Sequence, residues 1–457
     1  DLGGRCRAFD AAGFTFDMGP SWYWMPDVFE RFYQQFGYTT SDFYELKRLD
    51  PSYQVICSDG DIIKMPADYG ELRDLFESYE KGSAAKLDAF LEDAAYKYEV
   101  GMKEFVHKPS LSVLEFADAR VLKSFFKMDL FKDIAKEIHA KFKNPKLRQI
   151  LEFPVLFLGA KPSDTPALYS LMNYADMKLG TWYPMGGMVE IPKAMTKIAK
   201  ELGVVFRTGE EVKKLNVEHR RVVSISTDKG TYELDGIISG ADYHHTETRL
   251  LSSEHQSYSS SYWDKRAMAP SSLLFYVGVD KRVDGLEHHN LFFDTDFQKH
   301  AAQIYDTLEW PDDPLFYVCA PSKTDDGVAP EGSENLFFLV PISAGIEDDE
   351  KKKEAIFQIM LERMKQRIGV DISQNIVYKR TFCVNEFISE YHSFKGNAYG
   401  LANTLMQTAF LKPKMQSKKL ENLIFAGQLT TPGPGMPPSL ISGEVAAKYW
   451  ISKKSTK

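Results

Sequence analysis

No stretch of this chain approaches the roughly 20 consecutive apolar residues that a bilayer-spanning helix needs, although 44% of its 457 residues are hydrophobic. A transmembrane helix is therefore not expected, while a protein lying on a membrane surface stays open. No secretory leader is visible either. Cysteine is scarce: Cys6, Cys57, Cys319 and Cys383 stand far apart without C-x-x-C spacing. That pattern argues for free, mostly buried thiols in a reducing compartment. A basic excess is lacking too, since the net charge is −8 and no basic stripe is interleaved with aromatics. Nucleic acid is thereby excluded as a partner. The histidine pairs His244–His245 and His288–His289 have no third ligand at a helpful spacing, and adjacent side chains project differently, so no metal is expected. Finally, the chain opens on DLGGRCRAF with no Met, and nothing ahead of Gly3 supplies the strand, G-x-G-x-x-G turn and helix that open a dinucleotide-binding unit. The expectation is that the natural N-terminus lies upstream.

What the chain does hold in quantity is rings: 31 Phe, 23 Tyr and 6 Trp, enough to cover a large core or a large apolar ligand. Its length predicts at least two domains. Along the chain, Pro26 opens an amphipathic helix to Phe36, and Asp59-Gly60 between two apolar runs predicts a hairpin over 53–66. Residues 68–150 read as lysine-rich helices. Within 111–146, Phe116, Phe125, Phe126, Phe131, Ile134, Ile138 and Phe142 alternate with lysines. Such helices either pack over a core or lie in a membrane interface, rings down and lysines toward headgroups. A helix is expected over 189–202 after Gly186-Gly187, and short strands over 204–239, with Asp242 just past the last of them. From 270 to 384 strand-like runs return around one helix at 352–368, which predicts an α+β unit.

The most suggestive stretch is 423–447, LIFAGQLTTPGPGMPPSLISGEVAA. A short apolar strand runs into Gly427, then a turn carrying Gly433 and Gly435, and Pro437 and Pro438 open a final helix. Read alone, it is either a surface turn or a cradle in which glycines let backbone approach a flat ring and a helix start offers free N–H groups.

Taken in order, GGR at 3–5, DMGPSW at 17–22, YPMGG at 183–187, EEV at 210–212 and AGQLTTPGPGMPPSLISG at 426–443 resemble the flavoprotein family of phytoene desaturases and carotenoid isomerases. The chain is most similar to the bacterial-type phytoene desaturases, over nearly its whole length. The resemblance implies an α/β fold. A discontinuous FAD-binding Rossmann-type domain at 1–67, 184–250 and 415–457, without its first strand-turn-helix, would be joined to an α+β substrate domain at 68–183 and 251–414. Residues 111–146 would be candidate membrane-contacting helices. It also implies that Gly3, Gly4 and Arg5 lie over the FAD pyrophosphate and ribityl chain, with Arg5 bonded to phosphate. Gly19 and Ser21 would approach the flavin, and the Val212 backbone would receive the adenine. Gly427, Gln428, Gly435, Met436 and Pro437 would face the isoalloxazine. Gln428 stands where the wider class often carries an acidic residue.

A carotene precursor has no polar handle, so its recognition must come from apolar burial at about 25 cal/mol per Å². FAD would accept a hydride at N5 while the neighbouring carbon loses a proton. Arg148 matches a polar position near the family's substrate mouth and would polarise rather than act as a base, because guanidinium does not deprotonate. Glu390 and His392 are the alternative bases. The expected partner is a hydrophobic linear polyene met at a membrane surface, with the protein cytoplasmic and peripheral to the inner face. The competing readings are a polyene isomerase, a saturase or an amine oxidase of the same fold, and a non-catalytic lipid-binding protein on a degenerate flavoprotein scaffold.

Overall fold

The Asp59–Gly60 turn closes a hairpin in which Tyr53–Cys57 and Ile62–Met65 run antiparallel, Tyr53 opposite Met65 and Ile56 opposite Ile62. Gly60 supplies the positive φ, 86°, that the turn requires. In the computed structural model, which describes residues 2–112, 115, 132–156, 159–408 and 411–455, this hairpin forms one edge of a seven-stranded sheet. The strand order is Ile376–Phe382, Ser271–Val279, Glu334–Ile342, Phe316–Cys319, His289–Phe293, Tyr53–Cys57, Ile62–Met65. Every neighbouring pair is antiparallel except His289–Phe293 beside Tyr53–Cys57, which makes the sheet mixed.

The apolar runs explain why both faces are covered. All nine residues of Ser271–Val279 are buried, as a continuous rather than alternating pattern demands. On one face lies the helix Glu350–Ile368, which presents Ile356, Phe357, Met360 and Met364 to Phe275 and Phe338. Asp349 starts it by accepting from Lys351 N and Lys352 N, and Gly369, at φ 75°, ends it. The other face carries the largest apolar cluster, in which Phe14, Phe16, Trp24 and Tyr276 meet residues of the helices Ser83–Val100, Ile134–Lys141 and Pro145–Leu156.

A second group of elements includes smaller sheets, and its strand at 423–425 and final helix reach the same large apolar cluster through Ile424, Ile441 and Val445. Ile237–Ser239 pairs in parallel with Leu423–Phe425, and the Phe425 ring stacks on Tyr243 at 3.5 Å. Val212–Glu218, Arg221–Thr227 and Thr231–Glu233 form a three-stranded antiparallel ribbon. Val204 and Val205, expected to begin a strand, are instead exposed and form none. The helix Glu190–Glu201 buries Ile191, Ala194 and Ile198, and the chain ends in the helix Met436–Ser455. Gly236 lies under that last helix so closely that a Cβ there would sit 1.7 Å from the Trp450 ring.

Of the candidate membrane-contacting stretch 111–146, residues 113–114 and 116–131 lie outside the described residues. Its later part is core: Ile134, Ile138 and Phe142 are fully buried, and Phe142 packs edge-on against Phe76 and Phe90. Among the described residues, no helix is long and apolar enough to cross a membrane.

Candidate functional site

Four of the sequence motifs converge. Gly3 and Gly4, at φ 101° and 54°, turn the chain so that Cys6 N bonds back to Gly3 O at 2.9 Å. Gly19 returns onto this turn, where a Cβ would stand 2.9 Å from Arg5 O, so only glycine allows the approach. Asp17, two residues earlier, accepts from Met188 N (2.7 Å) and Val189 N (3.1 Å), tying DMGPSW to the start of the Glu190–Glu201 helix. Gly187, at φ 98°, is required there because a Cβ would press on Asp17 Oδ2 at 2.9 Å. Burial pushes the Asp17 carboxyl up to about 7, against the pull of those two amides.

Arg5 is the charged centre of the group. One Nη donates to Ser393 Oγ, and the guanidinium lies 4.8 Å from the Tyr391 ring centroid. Its Nε is sealed from solvent and has no hydrogen-bond partner among the described residues. Burial lowers the Arg5 pKa, and Asp242 and Tyr391 oppose that shift. Asp242 is engaged elsewhere, accepting from His245 N (3.0 Å) and Phe394 N (3.1 Å), and burial raises its own pKa. A guanidinium with an unspent inward donor beside a carboxyl occupied by backbone amides calls for an additional anionic acceptor.

The C-terminal turn stands against this centre. Cys6 Sγ donates to Met436 Sδ at 3.9 Å. The Gln428 carboxamide reaches Asn397 Oδ1 at 3.0 Å, and turned over it would accept from Arg5 Nη2 at 3.2 Å. Gly427, Gly433 and Gly435 have φ of 106°, 141° and 110°, and Gly427 N donates to Ser442 Oγ. Pro437 and Pro438 occupy the first turn of Met436–Ser455, where their missing N–H groups cost nothing.

A cleft of about 460 Å³ runs from Val212 past His244, His245, Arg249 and His392 to Ser393, the same serine that holds Arg5. His392 stacks on His245 at 4.0 Å and stands 3.6 Å from Glu211 Oε1. His244 and His245 are lowered to about 4, chiefly by burial and then by neighbouring positive groups, so both are neutral at pH 7. Ser393 thus links the cleft beside Val212 to Arg5.

The other two residues considered for catalysis lie elsewhere. Arg148 Nε donates to Phe142 O (2.7 Å) and Nη2 reaches His139 O (3.5 Å), so the side chain caps the end of Ile134–Lys141. Glu390 is paired with Arg7 and Arg380. Among the described residues, no hydrogen bond or ion pair joins Arg148, Glu390 and His392. Ser21 Oγ accepts from Tyr317 OH (3.0 Å), whose oxygen also bonds His289 Nδ1 (2.6 Å). His288, His289 and Cys319 come together, with ligand-type atoms within 4.8 Å, because His289 pairs with Cys319 across two strands. Sequence spacing gave no hint of that third member. Ser393, which holds Arg5, was also missed, since nothing in the HSFKG run marks it.

These residues fit a flavin adenine dinucleotide. The unspent Arg5 donor suits the pyrophosphate, the cleft by Val212 is wide enough for a base and sugar, and the positive-φ glycines leave room against a flat ring.

Comparison with known proteins agrees. The family described as flavin containing amine oxidoreductase matches residues 1–449. The chain is 40% identical over 451 residues to the carotenoid 3,4-desaturase of Haloarcula japonica, covering 98% of this chain and 91% of that one. It is 29% identical over 453 residues to the zeta-carotene-forming phytoene desaturase of Myxococcus xanthus, covering 98% and 86%. With the 4,4'-diapophytoene desaturase of Staphylococcus aureus it shares 29% over 464 residues, covering 99% and 92%. Among solved structures, an oxidoreductase from Methanosarcina mazei superposes with a TM-score of 0.61 at 14% identity, covering 98% of this chain and 92% of that one. A putrescine oxidase variant does so at 0.60 and 10% identity, covering 99% and 91%. Both are likenesses of fold alone.

Proposed function

The chain belongs to the flavin-containing amine oxidoreductase family, and within it we propose an FAD-dependent desaturase of carotenoids or their linear polyene precursors. The observation that carries this reading is 40% identity to a carotenoid 3,4-desaturase across 98% of the chain. In the proposed arrangement Gly3, Gly4 and Arg5 hold the pyrophosphate and ribityl chain, and Val212 at the mouth of the cleft receives the adenine. Gly19 and Ser21 would approach the flavin, and Gly427, Gln428, Gly435, Met436 and Pro437 would face the isoalloxazine. When bound, the flavin supplies the hydride acceptor. The protein's own work is to seat an apolar chain by surface burial, exclude water and handle one proton. Glu390 and His392 are the groups proposed for that proton, and Arg148 is proposed to polarise or stabilise charge rather than to act as a base. The division into a flavin domain at 1–67, 184–250 and 415–457 and a substrate domain at 68–183 and 251–414 belongs to the same proposal, with Tyr53–Cys57 and Ile62–Met65 as strands that the first segment lends to the seven-stranded sheet.

The full-length protein should purify with the absorption bands of bound flavin and convert phytoene or a longer polyene to products with extended conjugation, read by chromatography with absorbance detection. Products of unchanged conjugation would favour an isomerase, and loss of double bonds a saturase. A colourless protein would remove both enzyme readings in favour of a lipid-binding scaffold. Neutral replacements of Arg148, Glu390 and His392, taken through the same assay, retain as candidates only those that slow turnover.

We also propose that the protein meets its substrate at a membrane surface, because such polyenes dissolve in the bilayer. Because Ile134, Ile138 and Phe142 are core residues, the interfacial role is proposed for 111–131 rather than for all of 111–146. The protein should sediment with vesicles, and removing 116–131 should abolish sedimentation while flavin stays bound; unchanged sedimentation would assign membrane contact elsewhere.

A further inference from the structure

We infer that Lys412 Nζ is a proton-uptake site coupled to reduction of the flavin seated against the 427–436 turn. This rests on the proposed function and extends it to a residue for which the mechanism so far has no use.

Lys412 is 2% exposed, which is exceptional for a lysine. Its Nζ donates to Asn403 Oδ1 at 2.8 Å, its one hydrogen bond among the described residues, for a group with three donors. The acceptor is a neutral amide that is itself buried. The same Nζ lies 3.0 Å from where a Cβ would stand on Gly433, so it forms the wall behind the glycine turn. The neighbouring backbone is fixed to that turn, since Thr430 Oγ1 donates to Pro413 O at 2.8 Å. Thr431, in the turn itself, has a buried hydroxyl with no partner. The cradle therefore contains an amine, Lys412 Nζ, and a hydroxyl, Thr431 Oγ1, inside the protein with hydrogen-bonding capacity left over.

An ammonium held there without a carboxylate is costly, so the group sheds its proton more readily than an exposed lysine. Burial alone lowers it to about 7; no ionisable side chain among the described residues contributes to the shift. Lys412 is thus an amine whose proton can respond to a charge placed beside Gly433.

Dehydrogenation places such a charge. The substrate gives up a hydride, with its electron pair, to the ring, and the adjacent carbon gives up a proton. The ring gains one negative charge, and one proton must be held or released. Nζ enters with a lone pair and leaves as ammonium, so the cradle ends with no added net charge and the proton is accounted for. In a low-dielectric site, such compensation would favour reduction.

The test is the midpoint potential of the bound flavin against pH in the full-length protein, in wild type, Lys412→Met and Lys412→Arg. For a two-electron couple, each proton taken up adds about 30 mV per pH unit to the slope. Between pH 7.5 and 9 the wild type should be steeper than Lys412→Met by that amount. Lys412→Arg, which keeps the charge but cannot titrate, should show the shallow slope at a higher potential, and it serves alone if the Met variant fails to fold. Equal slopes in wild type and variants overturn the inference while leaving the desaturase reading intact. A wild-type protein that binds no flavin overturns both.

Discussion

Replacing Arg5 with Met should weaken FAD binding by roughly 10- to 150-fold, the equivalent of the about 1.5–3 kcal/mol that hydrogen bonds to a charged group contribute. The expectation follows from how little else engages this guanidinium. Ser393 takes one Nη, Tyr391 lies against the plane, and Nε is enclosed without a partner. Asp242 offsets the charge through space, yet its oxygens already accept from His245 N and Phe394 N. A phosphate would find in Arg5 a donor set that the protein does not consume. Arg5→Lys separates charge from shape: it keeps the cation and loses the planar fork, so its loss should be smaller than that of Arg5→Met. Quenching of flavin fluorescence on titration into the apoprotein gives both constants, and a melting curve of each apoprotein shows whether the fold around Asp242 has survived. If Arg5→Met binds FAD as tightly as wild type with an unchanged melting curve, the pyrophosphate does not lie against Arg5.

What could be read from the sequence was what is local. The Asp59–Gly60 hairpin, the helix after Gly186-Gly187 and the Pro-opened final helix each follow from residues within a few positions of one another, and each is present. The motifs GGR, DMGPSW, YPMGG and the 423–447 turn were legible as motifs. The physical reason for several of their residues became visible only in three dimensions. Gly187 is glycine because of Asp17, and Gly19 because of Arg5 O. Pairings across long stretches were not legible. Nothing in spacing brings Ser393 to Arg5, Cys319 to His289, or Lys412 to Gly433, because each contact is set by strand order or by the path of a returning loop. The Phe-rich region illustrates the same limit: Phe142 and the lysines around it fit a membrane face and a packed core equally well in periodicity, and packing against Phe76 and Phe90 decides for the core.

Asp176 should make stability depend on pH in a direction opposite to that of an ordinary paired carboxylate. It is 2% exposed, accepts from Tyr53 OH at 2.9 Å and Thr181 Oγ1 at 3.2 Å, and has Arg48 as its charged neighbour. Burial outweighs those bonds and pushes it up from 3.8 to about 7. Its stabilising contribution is complete below pH 4, where both folded and unfolded chains hold the proton. Between there and pH 7 the unfolded chain releases the proton first, so stability falls by about 1.4 kcal/mol per pH unit and levels off above the folded value. Over the whole window that is on the order of 4 kcal/mol. His288 and His300, held neutral by burial at about 3 and about 4, pull the other way over an overlapping range, because the unfolded chain binds their protons first as pH falls. The wild-type profile alone therefore mixes the two, and the informative quantity is the difference between wild type and Asp176→Asn. Asn keeps the shape and one acceptor and cannot ionise, so urea unfolding of the two proteins at intervals from pH 4 to 8 should show the variant gaining on wild type by several kcal/mol as pH rises. A pH-independent difference would mean that Asp176 ionises in the fold as readily as in the unfolded chain, and that Tyr53, Thr181 and Arg48 together outweigh its burial.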